Sequence, residues 1–176
     1  MKTIIVRKSK VQGKGVFANK NFRKGEVVLK IDDSHLVKDE SKLTKYQREF
    51  EADYLPDKIV LMQSPERYIN HACEPNIYVK TIDSIRQVLA MREIKKGEEI
   101  VFDYSINADY GGTFACHCGR KNCRGVYHGY FFKLPKKFQL KYLPYLEDWF
   151  VKRHQKEIEK LRGILLLTNK QKSDIR

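Results

Sequence analysis

The sequence predicts a mainly β fold with helical additions. Three observations lead there. Short β-branched runs separated by glycine turns fill residues 1–104, and only one stretch among them has helical spacing. The apolar period becomes helical beyond residue 144. Between these regions lies a cysteine-rich loop, 111–125, with too few apolar side chains to order itself. The 176 residues suit one domain with a terminal extension, and 41% hydrophobic content with ten Tyr and nine Phe suffices for a core.

The elements follow in order. Thr3–Val6 is β-branched and reads as the first strand. Gly13-Lys14-Gly15-Val16-Phe17 places two glycines where a backbone turns tightly or approaches a ligand; a hairpin turn and a binding loop both fit. It lacks the dinucleotide fingerprint. Lys24-Gly25-Glu26 and Lys96-Gly97-Glu98 are similar turns, each entering a strand, at 26–31 and 99–102. Ser41 can cap a helix carrying Leu43, Tyr46, Phe50 and Tyr54 on one face, with Pro56 closing it. Residues 59–62 form a candidate strand. Residues 77–81 and 86–91 read as two strands around Asp83-Ser84. Pro144 can occupy the first turn of a final helix, whose face is Leu146, Phe150, His154, Ile158, Leu161 and Leu165. That face fits either a cap on the core or a homodimer contact, so a monomer and a homodimer are both open.

The net charge of +13 suits contact with an acidic surface, including nucleic acid, and also suits a purely solubilising shell. Residues 133–176 hold 12 Lys/Arg against 5 Asp/Glu, whereas 32–57 hold 8 Asp/Glu against 4 Lys/Arg. The basic C-terminal region is a candidate nucleic-acid contact. The acidic segment, with Glu49, Glu51 and Asp53, is a candidate dock for a Lys-rich peptide. No apolar run reaches the roughly 20 residues of a membrane span, and the N-terminus has no signal-like core. The expectation is an intracellular protein without membrane contact, cytoplasmic, or nuclear if eukaryotic.

The chain is organised around Arg67-Tyr68-Ile69-Asn70-His71-Ala72-Cys73-Glu74-Pro75-Asn76. Asn, His and Cys supply hydrogen bonds and a thiolate, and Pro75 stops the run. A binding turn and an ordinary turn with a satisfied His both fit. The other cysteines are Cys116, Cys118 and Cys123. Four cysteines without a secretory signal suggest metal or redox use, and four thiolates make one tetrahedral zinc site. No Cys-x-x-Cys supports a thiol redox protein.

These motifs together resemble the SET-domain family of protein lysine methyltransferases, over about residues 8–125. The carriers are Gly13 to Phe17, the Lys24-Gly25-Glu26 turn, the Asn70-His71 turn, Gly97-Glu98-Glu99-Ile100-Val101-Phe102-Asp103-Tyr104, and the cysteine loop from Cys116 to Gly125. The resemblance implies a SET fold of small twisted sheets with a pseudo-knot and a zinc-stapled post-SET loop, to which the helical spacing of the tail adds a C-terminal helix. It divides the chain into a SET domain, 1–110, with a variable insert at about 38–60; a post-SET zinc loop, 111–130; and a helical extension, 131–176.

The resemblance further implies S-adenosyl-L-methionine as donor and a lysine side chain of a protein as acceptor, plausibly a histone-like or other basic chromosomal protein. Position by position, it implies donor binding by Lys14, Gly15, Val16, Arg67, Tyr68, Asn70 and His71. Tyr104 matches the catalytic tyrosine. Phe102, Tyr104 and Tyr127 match the lysine channel, and Phe at 102 leans towards di- or trimethylation. Cys73, Cys116, Cys118 and Cys123 match the four ligands of a structural Zn2+. One departure concerns the channel: many relatives carry a Tyr after the first Lys-Gly-Glu turn, where this chain reads Leu29-Lys30-Ile31-Asp32-Asp33. Tyr46, Tyr54 and Tyr68 are candidate substitutes. The competing reading is a non-catalytic zinc-stapled module that binds nucleic acid or protein.

Overall fold

In the computed structural model, which describes residues 2–173 and the side chains of all but Tyr110 and 168–173, the first hairpin joins β1 (Ile4–Lys8) to β2 (Lys14–Ala18). Val6 stands opposite Val16. The chain divides into two compact units, Met1–Asp103 with His117–Arg124, and Tyr104–Cys116 with Gly125–Arg176.

The first unit continues with β3 (Val27–Lys30), α1 (Lys45–Phe50), β4 (Ala52–Tyr54), β5 (Ile59–Leu61), β6 (Asn70–His71), β7 (Ile77–Ile82), β8 (Ile85–Ala90) and β9 (Glu99–Phe102). One sheet has the order β1-β2-β9-β6, a second the order β3-β8-β7, and β4 pairs with β5. Strand β2 lies inside its sheet, so Val16, Phe17 and Ala18 are all buried. Val16, Phe22, Ile77, Val88, Ile94 and Ile100 form the centre of the core, each at most 1% exposed. Each such burial contributes about 1.5–3 kcal/mol. The predicted pair around Asp83-Ser84 is the β7–β8 hairpin, with both turn residues at positive φ as a tight hairpin requires.

The two Lys-Gly-Glu strings are structural twins that pair with each other. Phe22 and Ile94, each two residues before its Lys-Gly-Glu turn, exchange both backbone hydrogen bonds, at 2.8 and 2.9 Å. Gly25 and Gly97 both take left-handed φ, which favours glycine. In each turn the glutamate closes the loop: Arg23 donates its backbone N–H to Glu26, and Lys95 donates to Glu98, both at 2.9 Å.

The helix expected over 41–54 is shorter. Thr44, not Ser41, is the cap: Gln47 N–H donates to Thr44 Oγ1 and Thr44 N–H to Gln47 Oε1, a reciprocal capping box. The helix ends at Phe50, and Tyr54 lies on β4, where pairing with β5 overrides the helical spacing. Ser41 instead belongs to a short 3-10 turn capped by Asp39.

The second unit contains a hairpin, β10 (Asp109–Ala115) and β11 (Val126–Tyr130), then α2 (Lys136–Tyr142), α3 (Asp148–Arg153) and α4 (Gln155–Ser173). The hairpin reduces the expected loop to 116–125. The single expected C-terminal helix is broken. Pro144 sits in a 3-10 turn, and His154 leaves helical geometry between α3 and α4, its ring nitrogen 2.7 Å from Asp109. Leu146, Phe150, Ile158 and Leu161 are buried as their spacing predicts. Helix α2 was not anticipated, because Pro135 and three lysines hide its short apolar face.

The acidic insert is not a free dock. Asp53 accepts from Arg86 Nη1 at 2.6 Å, and Asp33 takes a bidentate bond from the same guanidinium. Glu51 pairs with Arg67 at 3.0 Å, and Glu49 lies 3.9 Å from Lys45. Arg86 is 8% exposed, so its charge depends on these partners. Burial raises the Asp33 pKa, but the Arg86 bonds and the Lys58 charge outweigh it and leave the carboxyl below its usual value. Arg86→Met should therefore destabilise the fold by about 3 kcal/mol, the low end for buried pairs because both carboxylates keep some solvent access. Denaturant titration measures this. The Asp33 contribution should be complete above its unfolded pKa of about 3.9 and decline as pH falls through the depressed folded value.

Candidate active site and cysteine cluster

The Asn-His turn is fixed by a parallel pairing to β9, with Asn70 beside Val101 and His71 beside Phe102. Such a two-residue strand holds little on its own. Asn76 secures it: its side chain donates to Glu99 O and accepts from Val101 N–H, both at 2.9 Å, as an extra strand would. Asn76 is 1% exposed, so these bonds do not compete with water.

The other end of the turn meets the first hairpin. Asn70 Nδ2 lies 2.9 Å from both Lys14 O and Glu99 Oε1 and 3.2 Å from Gln12 O. Gly15 allows this close approach: a Cβ there would lie 2.3 Å from Glu99 Oε1 and would push that carboxylate off its bonds to Asn70 and Ser9. An open cavity of about 510 Å³ is lined by Arg7, Lys8, Gly13, Lys14, Ser64 and Tyr68, among others, within the usual size range of small-molecule sites. The Tyr68 hydroxyl receives a 2.6 Å bond from Arg67, which lowers its pKa, and the Lys14 ammonium sits 5.3 Å from its ring centre. Val16 faces the core instead.

Cys73, Cys116, Cys118 and Cys123 bring their sulfur atoms within 4.8 Å of one another. Four thiolates around zinc at about 2.3 Å would stand roughly 3.8 Å apart, so the cluster fits that ion with small adjustments. The charges around it are ordered. Arg124 makes a bidentate ion pair with Asp103, at 2.6 and 2.9 Å, and donates its backbone N–H to Cys73 Sγ at 3.4 Å. Asp103 is fully buried, and its carboxylate is 3.7 Å from His71 Nδ1. Burial depresses the His71 pKa to about 4; Asp103 opposes this and Arg124 adds to it. The imidazole is neutral at physiological pH.

Tyr104 and Tyr127 meet edge to face at 6.2 Å, and Phe114 stacks on Tyr127 at 4.4 Å. Although 38% of Tyr104 is exposed, burial of its hydroxyl end raises the pKa above the usual tyrosine range. The phenol is a neutral hydrogen-bonding group. Phe102 ends β9, two residues earlier. Among the candidates for the missing channel tyrosine, Tyr46 is exposed beside Phe50, Tyr54 donates to Glu40 at 2.8 Å, and Tyr68 lines the cavity.

With this geometry in place, a family model described as "SET domain" matches residues 13–105. The chain belongs to the SET-domain family. Histone-lysine N-methyltransferase trithorax of Drosophila virilis is 30% identical over 135 residues, covering 68% of this chain and 3% of the relative. The H3 lysine-36 specific histone-lysine N-methyltransferase of Candida glabrata is 30% identical over 144 residues, covering 72% and 20%. This chain therefore spans only a small part of the length of those relatives. A chain of the solved ctPRC2 assembly shares the fold at TM-score 0.50 and 24% identity, covering 62% of this chain and 15% of the other.

Sequence reasoning passed over Asn76, Glu99, Asp103 and Arg124 as site residues, although all four lie inside the motifs that carry the SET resemblance. The available signal was chemical: Asp103 is a charge directly after the apolar run Ile100-Val101-Phe102, and Arg124 directly follows a cysteine.

The cluster predicts about one zinc per chain by elemental analysis. Cys118→Ser should lower zinc retention and the melting temperature. A chelated wild type that melts unchanged would contradict a structural metal.

Proposed function

We propose that this SET-domain chain is a protein-lysine N-methyltransferase that uses S-adenosyl-L-methionine and holds a structural Zn2+ on Cys73, Cys116, Cys118 and Cys123. The observation that carries the reading is the Asn70-His71 turn paired to β9, which ends at Phe102 and leads directly into Asp103-Tyr104. Donor binding is assigned to the backbone of Lys14, Gly15 and Val16 and to Arg67, Tyr68, Asn70 and His71. The cationic Arg7, Lys8 and Lys14 around the cavity suit a carboxylate, and the Tyr68 ring suits a planar base.

When bound, S-adenosyl-L-methionine supplies a methyl group activated by a sulfonium. This chain's residues have three tasks. The first is to hold the acceptor lysine as a neutral amine, against a free pKa of about 10.4; desolvation in the channel assigned to Phe102, Tyr104 and Tyr127, together with the positive charge of a bound sulfonium, disfavours the ammonium. The second is alignment, assigned to the neutral Tyr104 hydroxyl as a fixed dipole near the amine. The third is room for repeated transfer. Phe102 offers no hydroxyl that would tether the amine, which favours di- and trimethylation. No strong base is required.

The substrate class is a basic protein with an accessible lysine, a histone or a comparable nucleic-acid-associated protein, met inside the cell. Nucleic-acid contact through the basic C-terminal region accompanies this reading. Among the described residues no helix is long and apolar enough to cross a membrane.

Calorimetric titration with S-adenosyl-L-methionine is the test. Saturable binding is expected, and Asn70→Ala should weaken it at least about 10-fold, through lost bonds to Lys14 and Glu99 that cost about 1.5 kcal/mol or more. A zinc-loaded wild type that takes up no donor would contradict the assignment. Phe102→Tyr should shift the products of an active preparation towards monomethyl-lysine in intact-mass spectra.

A further inference from the structure

The charges of this protein are unevenly committed. In the acidic segment 32–57, Glu51, Asp53 and Asp33 are paired with arginines. The opposite holds beyond β11. Residues 110–146 contain seven Lys/Arg and no Asp/Glu. Four of these, Lys133, Lys136, Lys137 and Lys141, lie in or just before α2, and all are exposed. Among the described residues none of the four has a carboxylate partner; Lys136 bonds to the neutral Gln139 amide at 3.3 Å.

This cationic patch sits on an anchored helix. Gln139 is buried and donates to Phe132 O and Leu134 O, at 3.0 and 2.6 Å. Tyr142 is buried, so α2 turns its aromatic side inward and its lysines outward. Lys137 and Lys141, four residues apart, share one face. Four positive charges without a carboxylate ion-pair partner among the described residues are thus grouped here; the Lys137 and Lys141 ammonium groups lie 5.0 and 5.7 Å from the Phe138 and Tyr142 ring centres, contacts that leave their charge un-neutralised.

We propose that α2 and Lys133 form a sequence-independent docking surface for the phosphate backbone of nucleic acid. The chemistry favours this occupant over others. A membrane surface would be met by cations beside exposed apolar side chains, and no large apolar residue is exposed between 131 and 146. Base reading needs forked or amide donors, and the exposed cations here are all lysines, which contact phosphate as point charges. The surface belongs to the same unit as Tyr104 and Tyr127. An enzyme so equipped works on lysines of proteins that are themselves bound to nucleic acid. The docking surface rests on these lysines and not on methyl transfer.

The experiment is fluorescence anisotropy of a labelled random-sequence DNA duplex with the full chain, across about 50 to 200 mM salt. Four phosphate contacts predict a log–log salt slope near −3.6, an affinity loss of about 100-fold over that range. The combined variant Lys136→Gln, Lys137→Gln, Lys141→Gln should flatten the slope to about −1 and weaken low-salt binding at least about 10-fold. Lys95→Gln with Lys96→Gln, exposed lysines of the first unit, should stay within about twofold. Binding unchanged in the triple variant, an equal loss in the control, or no binding by the wild type would each overturn the proposal. So would polyglutamate competing as well as DNA at equal charge, which would move the surface to acidic proteins. Donor titration of the triple variant should match wild type, so failure here is distinguishable from failure of the methyltransferase reading.

Discussion

The buried ion pair between Asp103 and Arg124 is the constraint on which the first unit's site depends. Asp103 has no solvent exposure and the Arg124 side chain has 8%, so neither charge is tolerable alone. Their pairing therefore dictates where three segments go. Asp103 follows the last residue of β9. Arg124 closes the cysteine loop, and through its backbone it bonds to Cys73 in the Asn-His turn. Strand, turn and loop must arrive together or leave a buried charge uncompensated. A zinc ion on the cysteines would add a second fastening to the same segments, because Cys73 belongs to the turn and Cys118 and Cys123 to the loop.

A second theme is the contrast between polar groups that replace backbone and those that meet ligands. Asn76 works as a surrogate strand, and Gln139 does the same for the carbonyls before α2. Glu26 and Glu98 each close a turn from the side-chain side. These groups let very short strands persist in a chain with few long elements.

Much of this was legible in the sequence because it depends on local chemistry. Glycine turns, β-branched runs and the capping ability of polar residues near 41–47 announced strands and a helix in roughly the right places. The cysteine spacing, joined to Cys73, announced a cluster. What stayed hidden was non-local. The end of α1 is set by β4 pairing with β5, which helical spacing at Tyr54 cannot reveal. The break at His154 coincides with its bond to Asp109, 45 positions away. The acidic insert looked like a peptide dock because charge counts do not show partners, and Arg86 and Arg67 lie outside the segment they neutralise. Asp103 and Arg124 were visible as letters, but their pairing is a fact of three dimensions.

The central claim is that this SET-domain chain transfers methyl groups to protein lysine. The most direct measurement incubates the zinc-loaded protein with isotopically labelled S-adenosyl-L-methionine and a mixture of basic chromosomal proteins, then maps label by mass spectrometry, with Tyr104→Phe in parallel. The account predicts label on lysine side-chain nitrogen, with di- and trimethyl forms among the products, and a large loss of rate in the variant whose donor affinity is kept. Bound donor with no label on any lysine, or label transferred equally by Tyr104→Phe, would contradict it.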